Sequence, residues 1–220
     1  MNLPYKMLVF DWDGTLMDSQ AEIVYCFQSA AKDLKLAVPP TEEIHKIIGI
    51  GMQFAVRAIF PGVQSDEGIN AIIERYRHYY FHPEKVQSEL FEGIYDMLID
   101  LESQGYLLGV ATSKGRRGLD ESLERTRLNK VFHVTRCIDE AQSKPHPQML
   151  LDAIDMLGVE RDEALMIGDT EFDLQMANNA GVHGLGVKCG AHPEERLRDC
   201  KPVDILEHTR EVSDWLLRKG

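Results

Sequence analysis

The stretch MLVFDWDGTLMDSQ, residues 7–20, joins four apolar residues directly to two aspartates, a glycine and a threonine. Four apolar residues without polar alternation fit a strand covered on both faces, the pattern of a parallel sheet. In an open parallel sheet ligands bind beyond the carboxyl ends of the strands, which is where Asp11 and Asp13 fall. Side chains alternate along extended chain, so these two carboxylates point the same way, and Gly14 lets the backbone approach a bound group closely. Converging carboxylates repel unless a cation or a shared proton offsets them. Alone, Asp-x-Asp-Gly fits an ordinary turn equally well, and the surrounding chain decides between the two.

Working outward, short apolar runs recur at LLGVAT (107–112), VFHVTRC (131–137), ALMIG (164–168) and GLGV (184–187), with helical patterning between them. That alternation predicts an α/β fold, a doubly wound, Rossmann-like parallel sheet covered by helices. Residues 11–106 separate the first two runs, far more chain than one crossover helix needs. The insert reads as helical. In DSQAEIVYCFQSAAKDLKL (18–36), Ile23, Phe27, Ala30, Ala31 and Leu34 recur at helical spacing, and Ser19 with Glu22 has the spacing of a capping box. Pro39, Pro40 and Thr41 interrupt and restart the pattern, Gly49 and Gly51 interrupt it again, and DEGINAIIERYRHYYF (66–81) is a further amphipathic segment. The expected organisation is a catalytic core of residues 1–16 and 87–220 with a helical cap of residues 17–86, hinged at both ends. Later helices are expected in EGIYDMLIDLESQG, closed by Gly105, in PHPQMLLDAIDMLG, opened by Pro147 and closed by Gly158, and in EFDLQMANNAG, closed by Gly181.

The other strand ends carry chemistry too. VATSKG places Thr112 and Ser113 where hydroxyls and free amides suit an anion, although the same pair suits an N-cap. SKPHP puts Lys144 before a proline-initiated helix. MIGDTEFD ends a strand with Asp169 and then Asp173; Thr170 and Asp173 also have capping-box spacing, which accounts for Asp173 but not for Asp169. Acids, a hydroxyl pair and one lysine at one sheet edge suit phosphoryl transfer with a hard cation such as Mg²⁺.

These four segments, in this order, resemble the motifs of the haloacid dehalogenase superfamily: DWDGT, VATS, SKPHP and GDTEFD, on a chain with a helical cap, closest to phosphoglycolate phosphatase-like members. The resemblance implies that Asp11 is the nucleophile and Asp13 the acid and base. It implies that Mg²⁺ is held by Asp11, Asp13 (through its carbonyl) and Asp169 with Asp173 in support, and that Thr112, Ser113 and Lys144 hold the phosphoryl group. The expected activity is hydrolysis of a small, phosphoglycolate-like phosphomonoester through an aspartyl-phosphate. A carboxyl at position 13 disfavours dehalogenation. Sugar-phosphate mutases of this superfamily carry a lysine just before the cap-loop glycine and an arginine three residues after it; IIGIGMQ offers Ile48 and Met52 instead, which favours hydrolysis. A phospho-accepting receiver switch, the alternative from another class, has adjacent acids after its first strand and no helical insert.

Composition bounds the rest. A formal charge of −12 disfavours nucleic acid and anionic membranes as partners. Four dispersed cysteines without a C-x-x-C pair, and no long apolar leader or span, fit a reducing cytoplasm. A monomer or a homodimer is expected. Three weaker signals have plain structural readings: the aromatics of ERYRHYYFHPEK as a buried helix stripe, Arg57 as a surface ion pair, and the G-x-G of GLGVKCG as a tight loop near the site.

Overall fold

The computed structural model describes residues 5–83, 85 and 87–219. The chain opens with β1 (Met7–Phe10) and β2 (Met17–Asp18), followed by helices α1 (Gln20–Asp33), α2 (Thr41–His45), α3 (Met52–Ile59) and α4 (Asp66–Tyr80). Then come β3 (Glu89–Leu90), α5 (Ile94–Ser103), β4 (Leu107–Thr112), α6 (Arg116–Thr126), β5 (Val134–Cys137), α7 (Gln148–Leu157) and β6 (Ala164–Gly168). The chain finishes with α8 (Glu171–Ala180), β7 (His183–Val187), α9 (Glu194–Asp199), β8 (Asp204–Leu206) and α10 (Val212–Leu217).

Six strands form one parallel sheet in the order β5-β4-β1-β6-β7-β8. After β1 the chain builds outward through β4 and β5, then returns to the far side of β1 for β6, β7 and β8. The strand order therefore reverses beside β1, the position where such sheets open a crevice at their carboxyl ends. Alternation along β1 sorts its residues between two cores. Leu8 and Phe10 pack with Leu98, Leu119 and Trp215 on one face, while Met7 and Val9 pack with Leu150, Ile154 and Met176 on the other. All four are fully buried, worth roughly 1.5–3 kcal/mol each on transfer from water.

Helices α1–α4 share a separate core built on Phe27, Ile44, Val56, Ile69, Ile72 and Tyr76. The segment containing them is bracketed by β2 and β3, which pair antiparallel with Met17 opposite Leu90. The expected boundary near residue 86 falls at Glu84 and Val86, outside the described residues.

Some local expectations are corrected. Ser19 is the N-cap of α1 but makes no side-chain cap: its backbone lies in the right-handed helical region, and Glu22 is turned instead to Ser88 and Lys85. The N-cap of α6 is Gly115, not Thr112 or Ser113. The third apolar run, VFHVTRC, forms strand only from Val134. Gly184 and Gly186 lie within β7 rather than in a loop; a Cβ on Gly184 would come 3.0 Å from Leu174 of α8, so close helix packing selects glycine there. Arg57 pairs with Asp66 at 2.8 Å on the surface, as expected.

Candidate active site

β1 delivers Asp11 to the sheet edge, where its amide donates to the Ile167 carbonyl of β6 at 2.9 Å. The Asp11 carboxylate is buried and accepts from Lys144 Nζ at 2.6 Å. The same ammonium donates to Asp173 Oδ1 at 2.6 Å. Asp173 also closes the capping box of α8, its Oδ2 accepting from the Thr170 amide at 3.1 Å and hydroxyl at 2.7 Å. Asp173 thus closes the capping box that its spacing to Thr170 predicts, and it also faces the acid cluster.

Asp169, at the end of β6, is fully buried; it accepts from the Thr15 hydroxyl at 2.7 Å and from the Ala191 amide at 2.8 Å. The backbone is wrapped tightly around it. A Cβ on Gly14, whose φ is +87°, would lie 2.4 Å from Asp169 Oδ2, and one on Gly190 would lie 2.0 Å from it. One oxygen each from Asp11, Asp169 and Asp173 fall within 4.8 Å of one another.

Asp13 is turned to a different cation. Both its oxygens accept from Lys114 Nζ at 2.9 Å, and that ammonium also lies over the Tyr80 ring, 4.8 Å from its centre. Lys114 stands in the quoted TSKG segment but was not read as a site residue; its signal was its position two residues beyond Thr112. Thr15 was likewise passed over, although it belongs to DWDGT. Thr112 is buried, its hydroxyl accepting from the Lys114 amide at 3.1 Å. Ser113 donates to the Gly49 carbonyl at 2.6 Å, and the Gly51 amide donates to the Ser143 hydroxyl at 2.8 Å. These two bonds pin the loop before α3 onto the sheet edge. Between loop and sheet lies a cavity of about 360 Å³ that Asp11, Asp13, Thr112, Ser113 and Lys114 reach. Lys144, Asp169 and Asp173 sit behind it, fully covered.

Burial, with the neighbouring Asp173 and Asp169, holds the Asp11 carboxyl well above the ordinary carboxylate range despite Lys144. Burial and Asp173 push Asp169 to about 7. Burial works against the charge on Lys144, but Asp11 and Asp173 outweigh it and keep the ammonium protonated; Asp13 and Tyr80 do the same for Lys114.

The family model of haloacid dehalogenase-like hydrolases matches residues 8–187. The chain belongs to this family. As a haloacid dehalogenase-like hydrolase it is an enzyme, of the phosphatase class. It is 34% identical to "Probable phosphatase IndB" of Dickeya dadantii, over 94% of this chain and 91% of that one. It is 28% identical to the pyrophosphatase PpaX of Bacillus cereus, over 95% and 94%. The structure of a predicted phosphatase from Clostridium acetobutylicum superposes with a TM-score of 0.87 at 25% identity, over 97% of this chain and 99% of that one. This haloacid dehalogenase-like hydrolase therefore shares its core and its helical insert with phosphatase-named proteins along almost its whole length.

Proposed function

We propose that the protein hydrolyses a phosphomonoester, with the phosphoryl group carried transiently on Asp11. The observation that carries this reading is the placement of two carboxylates with different partners at one cavity: Asp11 on buried Lys144, Asp13 on Lys114. An Asp11 oxygen attacks phosphorus as the bond to the alcohol oxygen breaks, and Asp13 gives that oxygen a proton. Asp13 then takes a proton from the water that attacks the aspartyl-phosphate, releasing phosphate and restoring Asp11. Thr112 and the Ser113 amide hold the phosphoryl oxygens, and Lys144, directly behind Asp11, offsets their charge. Helices α1–α4, with the loop carrying Gly49, act as the cap that excludes other water.

The acid cluster fits a divalent cation. Three buried carboxylates converge within 4.8 Å, and Gly14 and Gly190 place no Cβ against Asp169. Four acids (Asp11, Asp13, Asp169, Asp173) face two lysines (Lys114, Lys144), a deficit equal to one dication, and an all-oxygen donor set selects Mg²⁺ or Mn²⁺. Asp11, Asp169 and the Asp13 carbonyl would hold it, with Asp173 in support, and when bound it would draw charge from the phosphoryl oxygens.

Mutase chemistry is not favoured, because Ile48 and Met52 form apolar cavity wall where a second phosphate would need cations. The test is phosphate release from p-nitrophenyl phosphate before and after chelation. Activity lost on chelation and restored by Mg²⁺ or Mn²⁺ better than by Ca²⁺ supports the reading; undiminished activity after exhaustive chelation contradicts it.

A further inference from the structure

We propose that the alcohol released at this site is apolar and ring-bearing, rather than a sugar, a second phosphate or a small hydroxy acid. This rests on the phosphomonoesterase reading above and deepens it. The part of the cavity beyond Asp11 and Asp13 is lined largely by hydrocarbon. Phe27, Tyr76 and Tyr80 form an aromatic part of the lining, with Phe27 and Tyr76 rings 4.7 Å apart and Tyr76 and Tyr80 nearly parallel at 6.2 Å. Ile47, Ile48 and Met52, on both sides of Gly49, form an aliphatic part. That loop is held in place by the Ser113 and Ser143 hydrogen bonds, so its side chains stay over the cavity.

Most of the polar lining is already engaged. Lys114 and Asp13 bind each other, and the Ser113 hydroxyl is donated to Gly49. Both Asp139 oxygens accept from the Arg116 amide. Of the two arginines that reach the cavity, both exposed, Arg117 donates to Glu121 and lies 4.1 Å over the Phe81 ring. Arg77 at the rim and the Tyr76 hydroxyl show no such engagement among the described contacts. A sugar would bring several hydroxyls into a space offering them few partners, and each unpaired polar group opposes binding. A ring would instead meet surfaces it matches. At about 360 Å³, the space is near the lower end of small-molecule sites and holds a phosphoryl group with one ring, not a nucleotide or a lipid chain.

The test ranks kcat/KM for phenylethyl phosphate and phenylpropyl phosphate against glycerol phosphate, phosphoglycolate and pyrophosphate, at one Mg²⁺ concentration. The phenylalkyl and glycerol esters all release alkyl alcohols, so intrinsic reactivity does not drive that ranking. We expect the phenylalkyl esters to exceed the others by about tenfold to about a hundredfold, and Met52→Asn to shrink that ratio. Equal or better turnover of glycerol phosphate, phosphoglycolate or pyrophosphate overturns the substrate class. If p-nitrophenyl phosphate is cleaved under the same conditions, only the substrate class has fallen. If nothing is cleaved, the phosphomonoesterase reading falls and takes this inference with it.

Discussion

Asp11 and Asp13 lie two residues apart on one strand end, yet they sit in different electrostatic surroundings, Asp11 on Lys144 and Asp13 on Lys114, and in the proposed mechanism that difference divides the labour between them. Asp11 is buried against Lys144 and has no role in holding the fold of a helix or turn, so Asp11→Asn keeps the shape and removes the nucleophile. Turnover should fall by more than about a thousandfold while the melting temperature stays close to that of the parent; substantial activity in pure variant protein contradicts the assignment. Asp11 and Asp169 were legible in the sequence because each directly follows an apolar run, and the recurrence of acids, a hydroxyl pair and a lysine at several strand ends set them apart from ordinary turn residues. Lys114 was not, because a lone lysine before a helix reads as solvated surface, and its partner Asp13 is 101 residues away. Ser19 failed in the opposite sense: its spacing to Glu22 is local, but Ser88 and Lys85 from distant chain claim the glutamate.

Loops at the carboxyl ends of β1, β4, β5, β6 and β7 assemble the site, and those after β1 and β7 are shaped by a close approach to Asp169. The loop after β7 passes so near Asp169 that a Cβ on Gly190 has no room, whereas Gly62, between α3 and α4, has nothing within 4 Å. Gly190→Ala should weaken Mg²⁺ binding by about tenfold to a hundredfold, by displacing a carboxylate from its supports. Calorimetric titration reads this directly, with Gly62→Ala as the unaltered control; parent-like affinity in Gly190→Ala contradicts the cradle. The loop before α3 is held by hydrogen bonds worth roughly 1 kcal/mol each, so Ser143→Ala should raise KM about fivefold with kcat less affected. An unchanged KM would show that closure does not depend on this bond. Long periodic elements, such as α4 and α7, were legible. β8, α9 and α10 were not, being 3, 6 and 6 residues long and too short for a period to show.

Across the whole molecule, an acidic chain places Lys144, the fully buried cation among the described residues, at the acid cluster, which in the proposed reading lets it accept an anionic substrate. Stability is set partly elsewhere. His192, buried against Phe172, accepts from the Glu171 amide; burial first, then Arg196, hold its imidazole down at about 4 against an ordinary 6.5. The unfolded chain therefore binds the extra proton first. This site's contribution is intact above pH 6.5 and is lost as the pH falls toward about 4, by roughly 3 kcal/mol at 1.36 kcal/mol per unit. Denaturant titrations should show the parent losing stability relative to His192→Leu across that window, and parallel pH profiles would contradict it. The central claim is chemical: phosphate passes through Asp11, and Asp13 serves both halves of the reaction. In Asp13→Asn the good leaving group of p-nitrophenyl phosphate still departs, but water lacks its base, so the intermediate should accumulate. The decisive measurement is mass spectrometry of Asp13→Asn quenched in acid during turnover of p-nitrophenyl phosphate. A phosphoryl group mapped to the Asp11 peptide, with a matching burst of nitrophenol, is the predicted result; unmodified Asp11 with no burst would contradict the account.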